Sequence, residues 1–266
     1  MSSFEVKGLC AGYGGRSVID GLSFSMESGR MMGVLGANGS GKTTLLRSIC
    51  GILSHEGECT LEGVRLEGLS ERGLSKQCSY IPQRSGINID ISALDVVLMG
   101  FNPQLRLLER PTEAMRKQAL DALDRAGVGS MAEMNYLHLS EGQKQLCILA
   151  RTLVTQGRLL LLDEPESALD FHFRYRMLNI IRSWVTQDRR FALVALHDPM
   201  LALNYCDELL LLKDGRNIGV LRPASDSFDK MEEMLSMIYG SVSLASCADK
   251  TGKKHIVMLN EDANRP

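Results

Sequence analysis

Eight residues carry the strongest chemical signal in this chain. Gly36, Ala37, Asn38, Gly39, Ser40, Gly41, Lys42 and Thr43 lie between an apolar run, 31–35, and an amphipathic stretch that begins at Thr44. A buried strand, a glycine-rich turn and a helix in that order aim successive backbone N–H groups inward, where the helix N-terminus already favours negative charge. In such a loop Lys42 reaches the β- and γ-phosphates of a nucleotide and the Thr43 hydroxyl binds Mg²⁺. An ordinary glycine-rich strand-to-helix turn has the same composition, so other segments must decide.

Four leucines at 159–162 precede Asp163 and Glu164, which puts two carboxylates at the C-terminal end of a buried strand, where open α/β sheets bind ligands. There Asp163 would act through the water shell of Mg²⁺ and Glu164 would polarise a water attacking the γ-phosphate. A strand end followed by a proline turn is the plainer reading. Leu139, Ser140, Glu141, Gly142 and Gln143 open a strongly helical run, 144–153. Ser140 with Gln143 three residues on is a capping-box pattern. A serine-capped helix end with a glycine allowing close approach is also an anion site, so the two readings coexist. His197 ends another apolar run, 191–196, where it is either structural or a donor to the γ-phosphate. Gln83 follows a short strand and Pro82; it is either a surface glutamine or a neutral oxygen for Mg²⁺ or the attacking water.

The elements that must position these residues are legible. Strand-like runs alternate with helix-like runs, which argues for an α/β architecture. Segments 4–9, 22–26 and 57–66 alternate apolar and polar residues as half-exposed antiparallel strands do. The stretch 92–126 changes character, with an apolar helix through Val96, Val97 and Leu98, a break at Asn102-Pro103, and a helical stripe from Met115 to Ala126. It reads as a helical insertion in an α/β core. A helix over 168–185 and strands 207–213 and 218–221 follow, the last two paired across Asp214-Gly215. A helix over 228–239 and a hairpin around Thr251-Gly252 end the chain.

With 266 residues, 44% hydrophobic and 23% charged, the composition is that of an ordinary globular protein. A net charge of −2 gives no electrostatic footprint for nucleic acid, and none is expected as a partner. No apolar run approaches the roughly 20 residues that span a bilayer, and no secretory signal is visible, so an intracellular chain is expected. The seven cysteines are scattered without a Cys-x-x-Cys pair, and free thiols are the expectation.

Taken in order, these segments resemble the ATP-binding cassette (ABC) ATPase family over nearly the whole chain. In that resemblance 36–43 is the Walker A loop, extended by Thr44. Gln83 is the Q-loop, and 139–143 is the signature. Residues 159–163 form Walker B with catalytic Glu164, 167–170 the D-loop, and His197 the switch histidine. Tyr13 falls where the family places an aromatic that stacks on adenine. The resemblance implies a P-loop core with an N-terminal antiparallel β subdomain and an inserted α-helical subdomain at about 90–155, all within 1–224, and a short extension over 225–266. It implies ATP and Mg²⁺, the latter held through Thr43, Gln83 and Asp163. It also implies a dimer of two copies, each ATP lying between one copy's Walker motifs and Ser140, Gly142 and Gln143 of the other.

Two positions depart from the family pattern, Glu141 where glycine is usual and Glu166 where threonine is. Glu141 either faces the neighbour's nucleotide, weakening closure, or points to solvent, gaining from the helix dipole; solvent is the expectation. The segment 93–103 resembles the region after the Q-loop in ATPases of iron–siderophore, haem and cobalamin importers, with Phe101 in place of a basic residue. That implies a bacterial-type importer motor at the cytoplasmic face of the membrane, contacting a separate permease through residues near 83–102 and served by a solute-binding protein. A soluble ABC ATPase acting as a clamp or scaffold, for instance in metal-cluster assembly, is the alternative.

Overall fold

The computed structural model describes residues 2–83, 86–106, 108–155, 157–167 and 169–262. β1 (Ser3–Tyr13) and β2 (Arg16–Glu27) form a hairpin across Gly14 and Gly15, both at positive φ. β3 (Arg30–Leu35) runs into the glycine loop and α1 (Lys42–Ile49). β4 (His55–Leu61) and β5 (Val64–Arg65) extend the first hairpin into a four-stranded sheet of order β2-β1-β4-β5, antiparallel throughout. Its inward face carries Phe4, Val6, Ile19, Leu22 and Leu61, which is the alternation read from the sequence.

α2 (Glu71–Gln77), capped by Ser70, leads to β6 (Cys78–Ile81). Three helices follow: α3 (Ala93–Leu98) with a Ser92–Asp95 capping box, α4 (Glu113–Ala126) between Thr112 and a left-handed Gly127, and α5 (Glu141–Leu153). They pack on one another through Leu94, Val97, Leu123 and Leu146. Val96, Val97 and Leu98 are buried in this helical group. Phe101, at the position where a basic residue was expected, is 2% exposed and belongs to the same core.

β7 (Leu159–Asp163), α6 (Phe171–Gln187), β8 (Phe191–Ala195), α7 (Pro199–Tyr205), β9 (Glu208–Lys213) and β10 (Arg216–Leu221) complete a six-stranded sheet of order β10-β9-β3-β8-β7-β6. All of its pairings are parallel except β9 with β10, which turn at Asp214 and Gly215 with φ of 49° and 76°. Two positive φ values in a two-residue loop are what the right-handed strand twist selects. The four leucines of β7 are fully buried because both faces of this sheet are covered. Leu160 and Leu162 face the core shared with α5 and α6, while Leu159 and Leu161 face the core shared with α1 and the antiparallel sheet.

The helix expected over 168–185 begins at Phe171, because the Asp170 side chain accepts from the Phe173 amide and fixes the start there. α8 (Phe228–Tyr239) and the hairpin of β11 (Val242–Ala248) and β12 (Lys254–Asn260) form the C-terminal unit. The hairpin docks on α7, where the Asn204 amide donates to Ile256 O at 2.8 Å and accepts from Ile256 N at 2.9 Å.

Candidate functional site

The parallel pairings gather the predicted residues at one edge of the larger sheet. β3, β8 and β7 are adjacent, so the glycine loop, His197 and the Asp163-Glu164 pair leave neighbouring strand ends side by side. The loop itself is built on close backbone approaches. A Cβ on Gly36 would meet Ser40 Oγ at 2.4 Å and Leu212 O at 2.5 Å, and Gly41, at φ 105°, admits no side chain beside Ile19. The β9–β10 turn props it from outside, with the Gly215 amide donating to Ser40 O at 3.2 Å.

Lys42 is 4% exposed, and its Nζ donates to Gly36 O at 2.9 Å while lying 3.6 Å from Glu164 Oε1. The ammonium is thus held inside the loop, with a carboxylate on its far side. Thr43 Oγ1 donates to Asp163 Oδ1 at 2.9 Å, and Tyr80 donates its phenolic hydrogen to Asp163 Oδ2 at 3.0 Å. Burial raises the Asp163 carboxyl above its ordinary range, against the pull of these two hydrogen bonds. Burial likewise pushes the Tyr80 hydroxyl up to about 12. The Arg47 guanidinium is held above its usual value by hydrogen bonds with Tyr80 and then Tyr13, which ties Tyr13 to the same cluster.

Gln83 Nε2 donates to Glu164 Oε2 at 3.1 Å, and the Gln83 carbonyl accepts from Gln145 Nε2 at 2.7 Å. Glu164 has φ 47°, an unfavourable conformation for a residue with a side chain, and such strain collects at functional positions. A cleft of about 730 Å³ opens over the loop; Tyr13, Asn38, Lys42, Thr43 and Glu164 are among its lining. Its mouth is open, and Tyr13 is 46% exposed beside it.

Ser140, Gly142 and Gln143 do not line this cleft. Ser140 accepts from the Gln143 amide and Gln143 Oε1 from the Ser140 amide, so the capping box is present with the serine exposed to solvent. The Glu141 side chain is 68% exposed and paired with Lys144 at 2.8 Å on its own helix, the solvent-facing geometry. Of the D-loop, Ala168 lies outside the described residues. Ser167 Oγ is 3.5 Å from Gln83 Nε2.

Three residues contribute in ways the sequence did not announce. Tyr80 and Gln145 act through contacts that no spacing announces. Glu166 is 2% exposed, and its Oε1 accepts the His197 amide at 2.8 Å, fixing the backbone that carries the histidine. Its Oε2 has no partner among the described residues. Burial raises this carboxyl above its ordinary value of 4.5, opposed by the amides of His197 and Glu166.

The folded chain therefore binds the Glu166 proton more tightly than the unfolded chain does. The associated stability is complete at pH below the ordinary value and is lost as pH rises through the raised one. Glu166→Gln keeps an acceptor for His197 and cannot ionise. Its urea midpoint is expected to gain on the wild type as pH rises from about 4 to 8. A difference that stays constant across that range would contradict the assignment.

The ABC transporter family pattern matches residues 19–167. Cobalamin import ATP-binding protein BtuD of Halobacterium salinarum is 33% identical over 215 residues, covering 80% of this chain and 54% of that one. This chain thus spans about half of that relative's length. Hemin import ATP-binding protein HmuV of Bordetella pertussis is 34% identical over 233 residues, covering 84% of this chain and 87% of that one. Among solved structures, an inward-facing metal-chelate type ABC transporter superposes with a TM-score of 0.82 at 24% identity, covering 99% of this chain and 100% of that one. This chain belongs to the ABC transporter family. Its fold is that of the ATP-binding cassette.

Proposed function

We propose that this chain is the ATP-hydrolysing motor of an importer for metal chelates of the haem, cobalamin and iron–siderophore kind. The observation that carries the catalytic half is the chain of contacts Lys42–Glu164–Gln83, which joins a phosphate cradle, a carboxylate base and a loop leading to the helical subdomain. The γ-phosphate lies against Lys42 and the loop amides, with adenine on Tyr13. Glu164 takes the proton of the attacking water while the bond between the γ-phosphorus and the ADP oxygen breaks, and His197 donates to the γ-phosphate. Thr43 Oγ1 and Asp163 Oδ1, 2.9 Å apart and both hard oxygen donors, suit Mg²⁺, with Gln83 as a third oxygen. When bound, that ion neutralises charge on the β- and γ-phosphates.

Ser140 and Glu141 of the signature are exposed, Gly142 and Gln143 are half-buried, and none of the four lines its own cleft, so a second copy completes each site. The substrate class rests on relatives that import hemin and cobalamin. The permease would rest on exposed residues after Gln83, such as Asn88, Ile89 and Asp95, because the apolar side chains of α3 are already buried. The working surface is then the cytoplasmic face of a membrane.

Co-purification with the permease, followed by ATPase assay with binding protein loaded with haem, a corrinoid or a ferric chelate, tests this reading. Stimulation of several-fold by one of these is expected. Hydrolysis indifferent to permease and to every chelate would favour the clamp or scaffold instead.

A further inference from the structure

Thiol spacing along the chain gave no reason to expect a metal, but folding brings together three residues of different types that do not line the nucleotide cleft. His55 and Cys59 lie four apart on β4, and Glu67 lies in the turn that follows β5. His55 Nε2, Cys59 Sγ and a Glu67 carboxylate oxygen all lie within 4.8 Å of one another. His55 Nε2 is 3.6 Å from Glu67 Oε1. Two ligands about 2.0–2.3 Å from a tetrahedral zinc are separated by roughly 3.3–3.6 Å, so the His55–Glu67 separation fits a shared ion, with Cys59 Sγ within 4.8 Å of both.

The surroundings prepare the ligands. His55 Nδ1 lies 3.1 Å from Glu56 O, a carbonyl that can only accept, so Nδ1 carries the hydrogen. In the neutral form that binds a metal, this tautomer leaves the Nε2 lone pair directed toward Glu67. A backbone carbonyl holding the far nitrogen is the usual support of a metal-bound histidine. The Glu67 carboxylate is itself fixed, with Oε1 accepting the Cys59 amide at 2.6 Å and Oε2 accepting from Arg65 Nε at 3.3 Å. Gly57, at φ 95°, bends β4 between the two strand ligands, opposite two residues of β1. Cys59 is buried and the His55 side chain is 8% exposed, while Glu67 at 25% leaves a path from solvent.

We propose that His55, Cys59 and Glu67 form a binding site for a borderline-soft divalent cation of the zinc class, with a fourth position left to water. One nitrogen, one sulfur and one carboxylate oxygen select zinc over Mg²⁺ or Ca²⁺, which take oxygen ligands. Binding releases the Cys59 thiol proton to solvent as the sulfur–metal bond forms. The ion staples β4 to the turn after β5.

The test uses the full chain, free of nucleotide, titrated with Co²⁺ as the visible substitute. The expected result is a single site with a thiolate-to-cobalt charge-transfer band, displaced by Zn²⁺. Cys59→Ser should abolish the band, and Cys247→Ser, which alters an exposed thiol, should preserve it. Because Cys59 sits in a core and its replacement risks misfolding, His55→Gln and Glu67→Gln provide the second arm. Each should weaken affinity at least about tenfold, and Zn²⁺ should raise the thermal midpoint of the wild type but not of His55→Gln. Absence of the band, its survival in Cys59→Ser, or wild-type affinity in both other variants would overturn the proposal.

Discussion

Glu164→Gln is expected to lower ATP turnover by about 10² to 10⁴-fold, the contribution of a positioned general base. ATP affinity should change little. The side chain keeps its shape, and its oxygen can still accept from Gln83 Nε2, which lies 3.1 Å from Oε2 in the wild type. What is lost is the capacity to take a proton from water. With hydrolysis blocked, the two copies closed around ATP have no route to part, so the variant should accumulate as a dimer when ATP is added. Measured by phosphate release and by ATP-binding titration, the two effects separate cleanly. Normal steady-state turnover in the variant would remove Glu164 from the role of base.

Lys42→Ala should fail one step earlier, at binding. The ammonium is 4% exposed and aligned by the Gly36 carbonyl, so it meets phosphate with little water to displace. Removing one partner of a buried, hydrogen-bonded charge pair costs about 2–5 kcal/mol, roughly 30- to several thousand-fold in affinity. Titration with a fluorescent ATP analogue reads that loss directly. Because Lys42 also ties the loop carbonyls, circular dichroism must show the fold intact. Given that, unchanged nucleotide affinity would contradict the cradle.

How far these roles were legible depended on whether a residue belonged to a spacing pattern. The loop 36–43, the pair Asp163-Glu164 and His197 each stand at the end of an apolar run, and period and position located them. The strands did so for the same reason: four leucines covered on both faces have no polar alternative, and the Asp214-Gly215 turn fixes its own geometry. The roles of Tyr80, Gln145 and Glu166 were not legible, since each acts through contacts with residues distant in sequence. Glu166 was visible as an oddity in its segment. Only the fold shows its carboxylate holding the His197 amide. The helices α2 and α7 are too short, at seven residues each, to establish a period of their own.

Helix α3 lies within the segment 83–102 that was expected to meet a permease. Its apolar residues form the core of the helical group, leaving the exposed polar residues and Ile89 as the available face. An apolar run reads alike whether its partner is the same chain or another.

The most direct measurement of the central proposal is sedimentation of Glu164→Gln with and without ATP, alone and combined with Gly142→Asp. A Cβ on Gly142 meets Leu169 at no less than 3.4 Å, and an acidic residue in the first turn of α5 suits the helix dipole, so the chain's own fold accommodates the change. A carboxylate there would face the partner's phosphates. Doubling of mass with ATP in the single variant, and its loss in the double variant while each copy still binds ATP, is the expected result. ATP-bound Glu164→Gln that stays monomeric at every concentration, or a double variant that dimerises as well as the single one, would contradict a nucleotide shared between two copies.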